Sequence, residues 1–144
     1  MLTADRMAAV DANAAALGIP RKQLMESSGN AIARVVREHA APGDRIVLVC
    51  GRGNNGGDAF VAARFLDEYD VRVALLGHPD RIGTDIAREN WAALKPAEIP
   101  TTTTTDSTAI DDLDLAAADV VVDAIVGTGV TGALREPAAT AAAA

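Results

Sequence analysis

Cysteine, histidine and aromatic residues are all scarce in this sequence of 144 residues. Its one cysteine, Cys50, excludes an intrachain disulfide, and its two histidines, His39 and His78, lie too far apart for the spacing of a zinc site. With two phenylalanines, one tyrosine and one tryptophan, any core must be mainly aliphatic. No apolar run approaches the ~20 residues of a membrane span, so we expect a cytoplasmic protein without a membrane partner.

Basic residues are few relative to acidic ones. Thirteen lysines and arginines stand against twenty aspartates and glutamates, which gives a formal net charge of −7. Proteins that bind nucleic acid draw their affinity from clustered basic side chains, so nucleic acid is not expected as a partner. The length fits a single domain, since domains typically contain about 100–200 residues.

Periodic apolar residues predict two helices at the start of the chain. The helical spacing predicts a first helix over residues 3–17 and a second that begins at Pro20 and ends near His39. We expect one face of the second helix to contain Leu24, Ser28, Ala31 and Val35.

Strands and helices alternate along the rest of the chain. Runs of β-forming residues predict strands at residues 45–50, 71–76, 101–105 and 120–126, and helical spacing predicts helices at residues 59–69, 84–94 and 111–118. The first and last of these strands are mostly apolar, which is typical of strands covered on both faces. The alternation predicts an α/β fold, a Rossmann-like three-layer sandwich with a mostly parallel sheet in the strand order 3-2-1-4.

A glycine-rich segment, Gly51-Arg-Gly-Asn-Asn-Gly-Gly-Asp58, follows the first strand at the predicted switch point of the sheet. Its first three glycines match the G-x-G-x-x-G pattern of NAD-dependent Rossmann oxidoreductases, which is one alternative function. Asp58 argues against it, because a carboxylate in the opening turn of the next helix would repel a phosphate. The acidic residue expected about twenty positions further on is also missing, since Leu76 and Gly77 occupy that place.

Side-chain oxygens in the same segment suit a different ligand. Asn54, Asn55 and Asp58 offer oxygens at short spacing, and the glycines let backbone groups approach closely, which favours hydroxyls, amides or a cation. The alternative is that the two asparagines form turns and that Asp58 only caps the helix.

Asp123 is a charged residue within an apolar strand. A buried unpaired carboxylate is costly, so we expect Asp123 to bind a ligand or a cation, with Asn55 as a second oxygen ligand across the switch point. The alternative is that Asp123 bonds only to neighbouring backbone amides. Cys50 has no histidine nearby in sequence and is expected to be a core residue, and His78 is expected in an exposed loop.

Two segments together resemble a known family. Gly51–Asp58 combined with Asp123-Ala-Ile-Val-Gly-Thr-Gly129 resembles the NAD(P)H-hydrate epimerase family, the YjeF N-terminal domain. Residues 1–11 and Leu24-Met-Glu-Ser-Ser-Gly29 look like the two leading helices of that family. The resemblance implies that residues 1–144 form one such domain, without a dehydratase domain. It also implies an isomerase that interconverts the R and S epimers of hydrated NADH and NADPH (NADHX and NADPHX), which are substrates rather than cofactors.

The resemblance further implies the residues of a site. A potassium ion would be held by Asn55 and Asp123. Substrate contacts would come from Asn54, Asn55, Gly56, Gly57, Asp58, Gly127, Thr128, Gly129, Val130, Thr131, Gly132 and Ala133. A functional link to an NAD(P)H-hydrate dehydratase is a further implication.

The sequence departs from the family pattern at its end. It stops at Ala144, before the family's Val-Asp-x-Pro-Ser-Gly segment, so we expect an incomplete domain whose catalytic acid/base lies beyond Ala144 and which epimerises little by itself. The strand at 120–126 is then expected to be an unprotected edge through which a homodimer could form. A non-catalytic nucleotide-binding or scaffold module of the same fold is the alternative that this loss favours.

Overall fold

The computed structural model describes residues 20–105 and 114–125. Its helices are α1 (Arg21–His39), α2 (Asn54–Phe65) and α3 (Asp85–Ala92), and its strands are β1 (Arg45–Cys50), β2 (Asp70–Leu76), β3 (Thr101–Thr104) and β4 (Val120–Ala124). Short 3₁₀ turns lie at Pro79–Arg81 and Leu115–Ala117. The helix predicted over residues 3–17 lies outside the described residues. Within these two ranges, no helix is long and apolar enough to span a membrane.

The four strands form one parallel sheet in the order β3-β2-β1-β4, which confirms the predicted order. β1 lies inside the sheet, where Ile46 pairs with Val71 of β2 and with Val120 of β4. The side chains of β1 from Ile46 onward are all buried, as expected for an apolar strand covered on both faces. The Rossmann-like α/β prediction is confirmed by this arrangement.

The three helices of the described residues pack on one face of the sheet, so the described part has two layers and does not include the third layer of the predicted sandwich. The core beneath these helices joins Leu48 of β1 and Leu75 of β2 to Phe60 of α2 and Ala87 of α3. The Phe60 ring is fully buried and meets Trp91 edge-on, with 5.4 Å between the ring centroids. The predicted aliphatic core is therefore confirmed, with one aromatic pair at its side.

α1 turns a different face to the core from the predicted one. Its buried residues are Met25, Gly29, Ala33 and Val36, whereas the predicted Leu24, Ser28, Ala31 and Val35 are only half-buried. The prediction was wrong by about one residue, which is ~100° around a helix axis. Gly29 provides the reason, because a Cβ at this position would overlap with Val61 of α2. The absence of a side chain lets the two helices approach along this line.

α2 begins earlier than the predicted helix over residues 59–69, and it also ends earlier. Gly53 precedes its first turn, and the Gly57 N–H donates to the Gly53 carbonyl at 3.1 Å. The Asn-Asn-Gly-Gly segment is therefore the first turn of the helix rather than a loop. Asparagine and glycine have low helix propensity, which is why the sequence pattern indicated a loop.

The remaining elements follow the prediction more closely. The threonine run forms β3 at one edge of the described sheet, with Thr104 as its one buried residue. Thr84 Oγ1 caps α3 by accepting a hydrogen bond from the Ala87 N–H at 3.2 Å. Of the short helix predicted at 111–118, the described part contains the 3₁₀ turn Leu115–Ala117, and residues 111–113 lie outside it.

The other face of the sheet carries a smaller cluster. That cluster contains Val47, Val49, Leu76 and Leu115. β4 lies at an edge of the described sheet, and burial alternates along it, with Val121 and Asp123 exposed and Ala124 buried against the helices. The expectation that β4 is buried on both faces was therefore wrong.

Candidate functional site

The carboxyl ends of β1 and β4 meet at Gly51. The Gly51 N–H donates to the carbonyl of Ala124 at 2.9 Å. A Cβ on Gly51 would overlap with the carbonyl of Ile125, so glycine is required for this close approach. The glycine-rich segment and the end of β4 are thus in direct contact at the switch point, where open α/β sheets bind ligands.

The glycines of this segment have two different roles. A Cβ on Gly56 would overlap with the Gly51 carbonyl, and a Cβ on Gly57 would lie 2.7 Å from Met25 Cε and 3.0 Å from Ala87 Cβ. These two glycines pack the first turn of α2 against β1, α1 and α3. Apart from its chain neighbours, no atom of the described residues lies within 4 Å of a Cβ built on Gly53, so within the described part the segment leaves space for a ligand at that residue.

The predicted polar ligands sit on the first turns of α2. Asn54 is exposed, and its Oδ1 accepts a hydrogen bond from Thr84 Oγ1 at 2.9 Å. Asn55 is half-buried, whereas Asp58 is 5% exposed, and both interact with other polar groups of the chain. Because α2 begins at Asn54, Asp58 lies beyond its first turn and does not cap it, so that alternative was wrong.

A polar network supports this turn from the core side. Arg64 Nη2 donates to Glu26 Oε1 at 2.6 Å and to Asn90 Oδ1 at 3.0 Å, which joins α2 to α1 and α3. Asn90 is 6% exposed and also donates from Nδ2 to Met25 Sδ at 3.2 Å. Met25 packs directly against Gly57, so the network reaches the site through one methionine side chain.

Sequence reasoning did not single out Asn90 or Arg64. The signal that could have found them is the polar Asn90 placed three residues after Ala87, on the buried side of α3. Buried polar side chains are nearly always hydrogen-bonded, so an asparagine at such a position predicts a partner on a neighbouring helix. Which partner it takes depends on the helix packing.

Cys50 and His78 occupy the places predicted for them. Cys50 is fully buried, and its Sγ donates to the Leu48 carbonyl at 3.6 Å. Burial raises the pKa of the Cys50 thiol, so the thiolate needed for nucleophilic chemistry is disfavoured. His78 is exposed and its Nδ1 accepts from the Asp80 N–H at 3.2 Å, which is a local turn contact.

Asp123 lies near the carboxyl end of β4, close to the glycine-rich segment, but it is exposed rather than buried. It pairs in register with Val49 and shares the exposed side of β4 with Val121. Its Oδ1 accepts a hydrogen bond from the Ile125 N–H at 3.1 Å, so the carboxylate is turned toward the carboxyl end of the strand. The premise of a buried carboxylate was wrong, and the observed bond is the local amide contact considered as the alternative.

Comparison with known proteins assigns the chain to a family. A family model described as YjeF-related protein N-terminus matches residues 21–144. The chain belongs to this YjeF N-terminal family. The resemblance inferred from the two sequence segments is therefore confirmed.

Relatives of this YjeF-family chain carry specific names. A bifunctional NAD(P)H-hydrate repair enzyme Nnr from Methanothermobacter thermautotrophicus is 47% identical over 142 residues, which cover 94% of this chain and 27% of the relative. An NAD(P)H-hydrate epimerase from Cenarchaeum symbiosum is 39% identical over 94% of this chain and 63% of the relative. The chain spans less than two thirds of the length of either relative.

A solved structure supports the same assignment. The crystal structure of yeast ynu0 matches with a TM-score of 0.75 and 25% sequence identity, over 95% of this chain and 61% of that chain. The YjeF-family fold is therefore shared along most of the sequence.

The candidate cation ligands in the site of this YjeF-family chain are oxygen atoms. The described residues contain no group of three or more His, Cys, Asp or Glu side chains placed to hold a metal ion. The amide of Asn55, the carboxylate of Asp123 and backbone carbonyls are ligands of hard cations. Their chemistry fits a potassium ion, as does the position of both residues near the strand ends joined at Gly51. The predicted substrate residues from Gly127 to Ala133 lie outside the described residues.

Proposed function

We propose that this chain acts in the repair of hydrated NADH and NADPH, as the domain that interconverts their R and S epimers. One observation carries the proposal: the first turn of α2, with Asn54 and Asn55, is joined through Gly51 to the end of β4, which carries Asp123. This arrangement occurs in a chain whose 47% identical relative is named an NAD(P)H-hydrate repair enzyme.

The chemistry of the hydrate matches these groups. A hydrated nicotinamide ring carries a hydroxyl on the carbon beside the ring nitrogen, and it keeps its carboxamide. Asparagine side chains and a glycine backbone at Gly53 offer both hydrogen-bond donors and acceptors to such groups. We assign Asn54, Asn55 and Asp58, with Gly56 and Gly57 between them, to substrate binding, and we assign Gly127–Ala133 to the same role.

Inversion of the hydrate requires an acid/base. The stereocentre is a hemiaminal carbon, so its C–O or C–N bond must break and re-form, and either route needs a positioned proton donor and acceptor. We assign the described polar residues to binding and give none of them that catalytic role.

A binding comparison tests the proposed substrate. We expect the chain to bind NADHX more tightly than intact NADH. The two ligands differ only in the added water, and Asn54 is proposed to bind the hydrate, so Asn54→Ala should reduce that preference. Asp67→Asn, which changes an exposed aspartate away from the site, is the matched control. Equal affinity for NADH and NADHX in the unchanged chain would contradict the proposal and favour the oxidoreductase alternative.

Proton NMR of a single hydrate epimer then separates catalysis from binding. Interconversion faster than in buffer alone supports epimerase activity and would show that an acid/base lies within residues 1–144, contrary to the expectation from the sequence. Tight binding of the hydrate without interconversion supports the alternative of a non-catalytic binding or scaffold module.

We also propose that Asn55 and Asp123 hold a potassium ion beside the substrate. A cation that binds only the folded chain raises the unfolding temperature, so we expect a higher value in KCl than in NaCl at equal concentration. Asp123→Asn should abolish the difference, while Asp67→Asn should retain it. An identical response to both salts before and after the substitution would refute the potassium assignment.

The setting of the domain completes the proposal. We propose a cytoplasmic location, a functional link to an NAD(P)H-hydrate dehydratase, and homodimer formation along the β4 edge, where Val121 is 37% exposed. The name of the bifunctional relative supports the dehydratase link. Sedimentation of the chain with and without Val121→Lys tests the dimer, since a charge on an edge strand opposes pairing.

A further inference from the structure

Arg52 extends from the glycine-rich segment across the carboxyl end of β2. A Cβ on Gly77, the residue after β2, would lie 2.6 Å from Arg52 Cδ and 2.9 Å from Arg52 Nε. Gly77 has a φ of +125°, a conformation that side-chain-bearing residues rarely adopt. The missing side chain at Gly77 therefore provides the space in which the Arg52 stem lies.

The backbone around Arg52 is held in place on both sides. The Arg52 carbonyl accepts a hydrogen bond from the Gly83 N–H at 2.8 Å, and the Gly77 N–H donates to the Thr104 carbonyl at 2.8 Å. The neighbouring Asn54 is bonded to Thr84. The guanidinium of Arg52 is thus presented by a fixed frame beside the proposed substrate site.

Arg52 has no ion pair with any residue that the structure describes. Five other arginines, Arg37, Arg45, Arg64, Arg72 and Arg88, form salt bridges with carboxylates. Within residues 20–105 and 114–125, no carboxylate lies within salt-bridge distance of Arg52, which is exposed. Arg81 stands two residues before Gly83, also exposed and without such a partner in the described part. Arg81 is preceded by the exposed Asp80, whose carboxylate lies 3.4 Å from His78 Nδ1, so Arg52 is the cation whose position at the end of β2 is defined by a contact.

The end of the second strand has a defined role in dinucleotide-binding α/β folds. An acidic residue there binds the ribose 2′-hydroxyl of an NAD-type nucleotide, whereas a nearby arginine accommodates the 2′-phosphate of an NADP-type nucleotide. This chain has Leu76 and Gly77 at that place, and Arg52 lies over Gly77. A guanidinium matches a phosphate group in charge and in hydrogen-bond geometry.

We propose that Arg52 binds the adenosine 2′-phosphate of the substrate, so that this domain prefers the hydrate derived from NADPH over the one derived from NADH. The inference rests on the proposed function for its substrate class, and it adds the residue and the group that determine selectivity.

The test is calorimetric binding of adenosine 2′,5′-bisphosphate and adenosine 5′-monophosphate to the full chain. We expect the bisphosphate to bind at least about tenfold more tightly, as expected for a hydrogen-bonded charge pair. Arg52→Gln should remove this difference, and Arg52→Lys should restore part of it, since lysine keeps the charge but not the planar fork. Arg34→Gln, which removes an exposed arginine of α1, is the matched control and should retain the difference.

Several results would overturn the proposal. These are equal affinity for the two nucleotides in the unchanged chain, no binding of the bisphosphate, an equal loss for both nucleotides in Arg52→Gln, or the same loss in Arg34→Gln. Neither nucleotide carries a nicotinamide ring, so the result does not depend on epimerisation. A chain that selects the bisphosphate through Arg52 but binds NADHX no better than NADH would refute the proposed function alone.

Discussion

The two ends of the parallel sheet differ in how their charged groups are used. At the amino ends of the strands, Arg45 forms an ion pair with Asp70 at 3.3 Å, and its N–H donates to Asp119 Oδ2 at 2.8 Å. At the carboxyl ends, Arg52 lies beside Gly77 without a carboxylate partner in the described part of the chain. Arg45, Asp70 and Asp119 at the amino end join neighbouring strands, whereas Arg52 at the carboxyl end is exposed.

The difference separates residues that hold the fold from residues available to a ligand. Asp119 joins the start of β4 to the start of β1, and its N–H also donates to the Arg45 carbonyl at 2.9 Å. Asn54 and Arg52 lie at the carboxyl ends of the strands, where helices and strand ends create the crevice in which ligands bind. Changes at the amino end should therefore alter stability, and exposed changes at the carboxyl end should alter binding.

The largest expected loss of stability comes from adding a side chain where the first turn of α2 packs on the carboxyl end of β1. Gly56→Ala places a methyl group on the Gly51 carbonyl, and we expect a loss of about 3 kcal/mol in the free energy of unfolding measured with urea, because the methyl group meets a backbone atom that cannot move aside as a flexible side chain would. Gly53→Ala is the control, with space around its Cβ and an expected loss of about 1 kcal/mol or less. Equal losses in the two variants would contradict the packing described at Gly51.

The next effect tests the network that lies beneath the site. Asn90→Ala removes an acceptor from Arg64 and a donor from Met25, so we expect a loss of about 2 kcal/mol, typical of breaking a buried hydrogen-bonded group. Glu89→Ala is the control, since its ion pair with Lys22 is exposed and 3.7 Å long, and should cost at most about 0.5 kcal/mol. Thermal unfolding of both variants decides the point, and a near-neutral Asn90→Ala would show that the network does not support the fold.

A smaller loss of stability is expected from a change at the amino ends of the strands. Asp119→Ala removes the acceptor for the Arg45 N–H, and about 1 kcal/mol of stability should be lost because that contact joins two strands at an exposed site. Nucleotide affinity should stay unchanged, because the residue lies at the opposite end of the sheet from Arg52. A loss of affinity without a loss of stability would contradict the assignment of the amino ends of the strands to folding and of the carboxyl ends to binding.

The smallest loss of stability is expected from weakening the exposed ion pairs at the amino ends of the strands. Asp70→Asn weakens the pairs with both Arg45 and Arg72, yet partly exposed pairs are screened by water and salt, so we expect a loss of about 0.5 kcal/mol. The loss should diminish in high salt. Chemical denaturation at two ionic strengths measures it, and a loss that is large and independent of salt would show that Asp70 has a role beyond ion pairing.

The strand pattern was predictable because it depends on local sequence. Runs such as Arg45–Cys50 are short, apolar and bounded by turn residues, and the parallel crossover rule then restricts the order of the strands. The threonine run was a weaker prediction of β3, since β-branched threonine favours strands but is also found in exposed loops. Of the site, the location of Asn54 and Asp123 at neighbouring strand ends follows from the same order.

The incorrect predictions depend on backbone packing that periodicity does not report. The face of α1 is determined by Gly29 against Val61, and the start of α2 is determined by packing of Gly56 on Gly51. The exposure of Asp123 follows from the edge position of β4 in the described sheet. Periodicity reports which residues share a face, but it does not report which neighbour covers that face.

The sequence by itself determined the family, the α/β class, the strand order and the segment that carries the candidate site. The class, the strand order and the segment follow from local patterns, namely apolar runs, turn residues and the spacing of glycines with asparagines, whereas the family follows from the resemblance to known relatives. The tertiary structure alone decided that Arg52 lies over Gly77 and that Met25 links the Asn90 network to Gly57. Both contacts form only when the helices and strand ends pack at close range, and their geometry depends on the absence of side chains at two glycines.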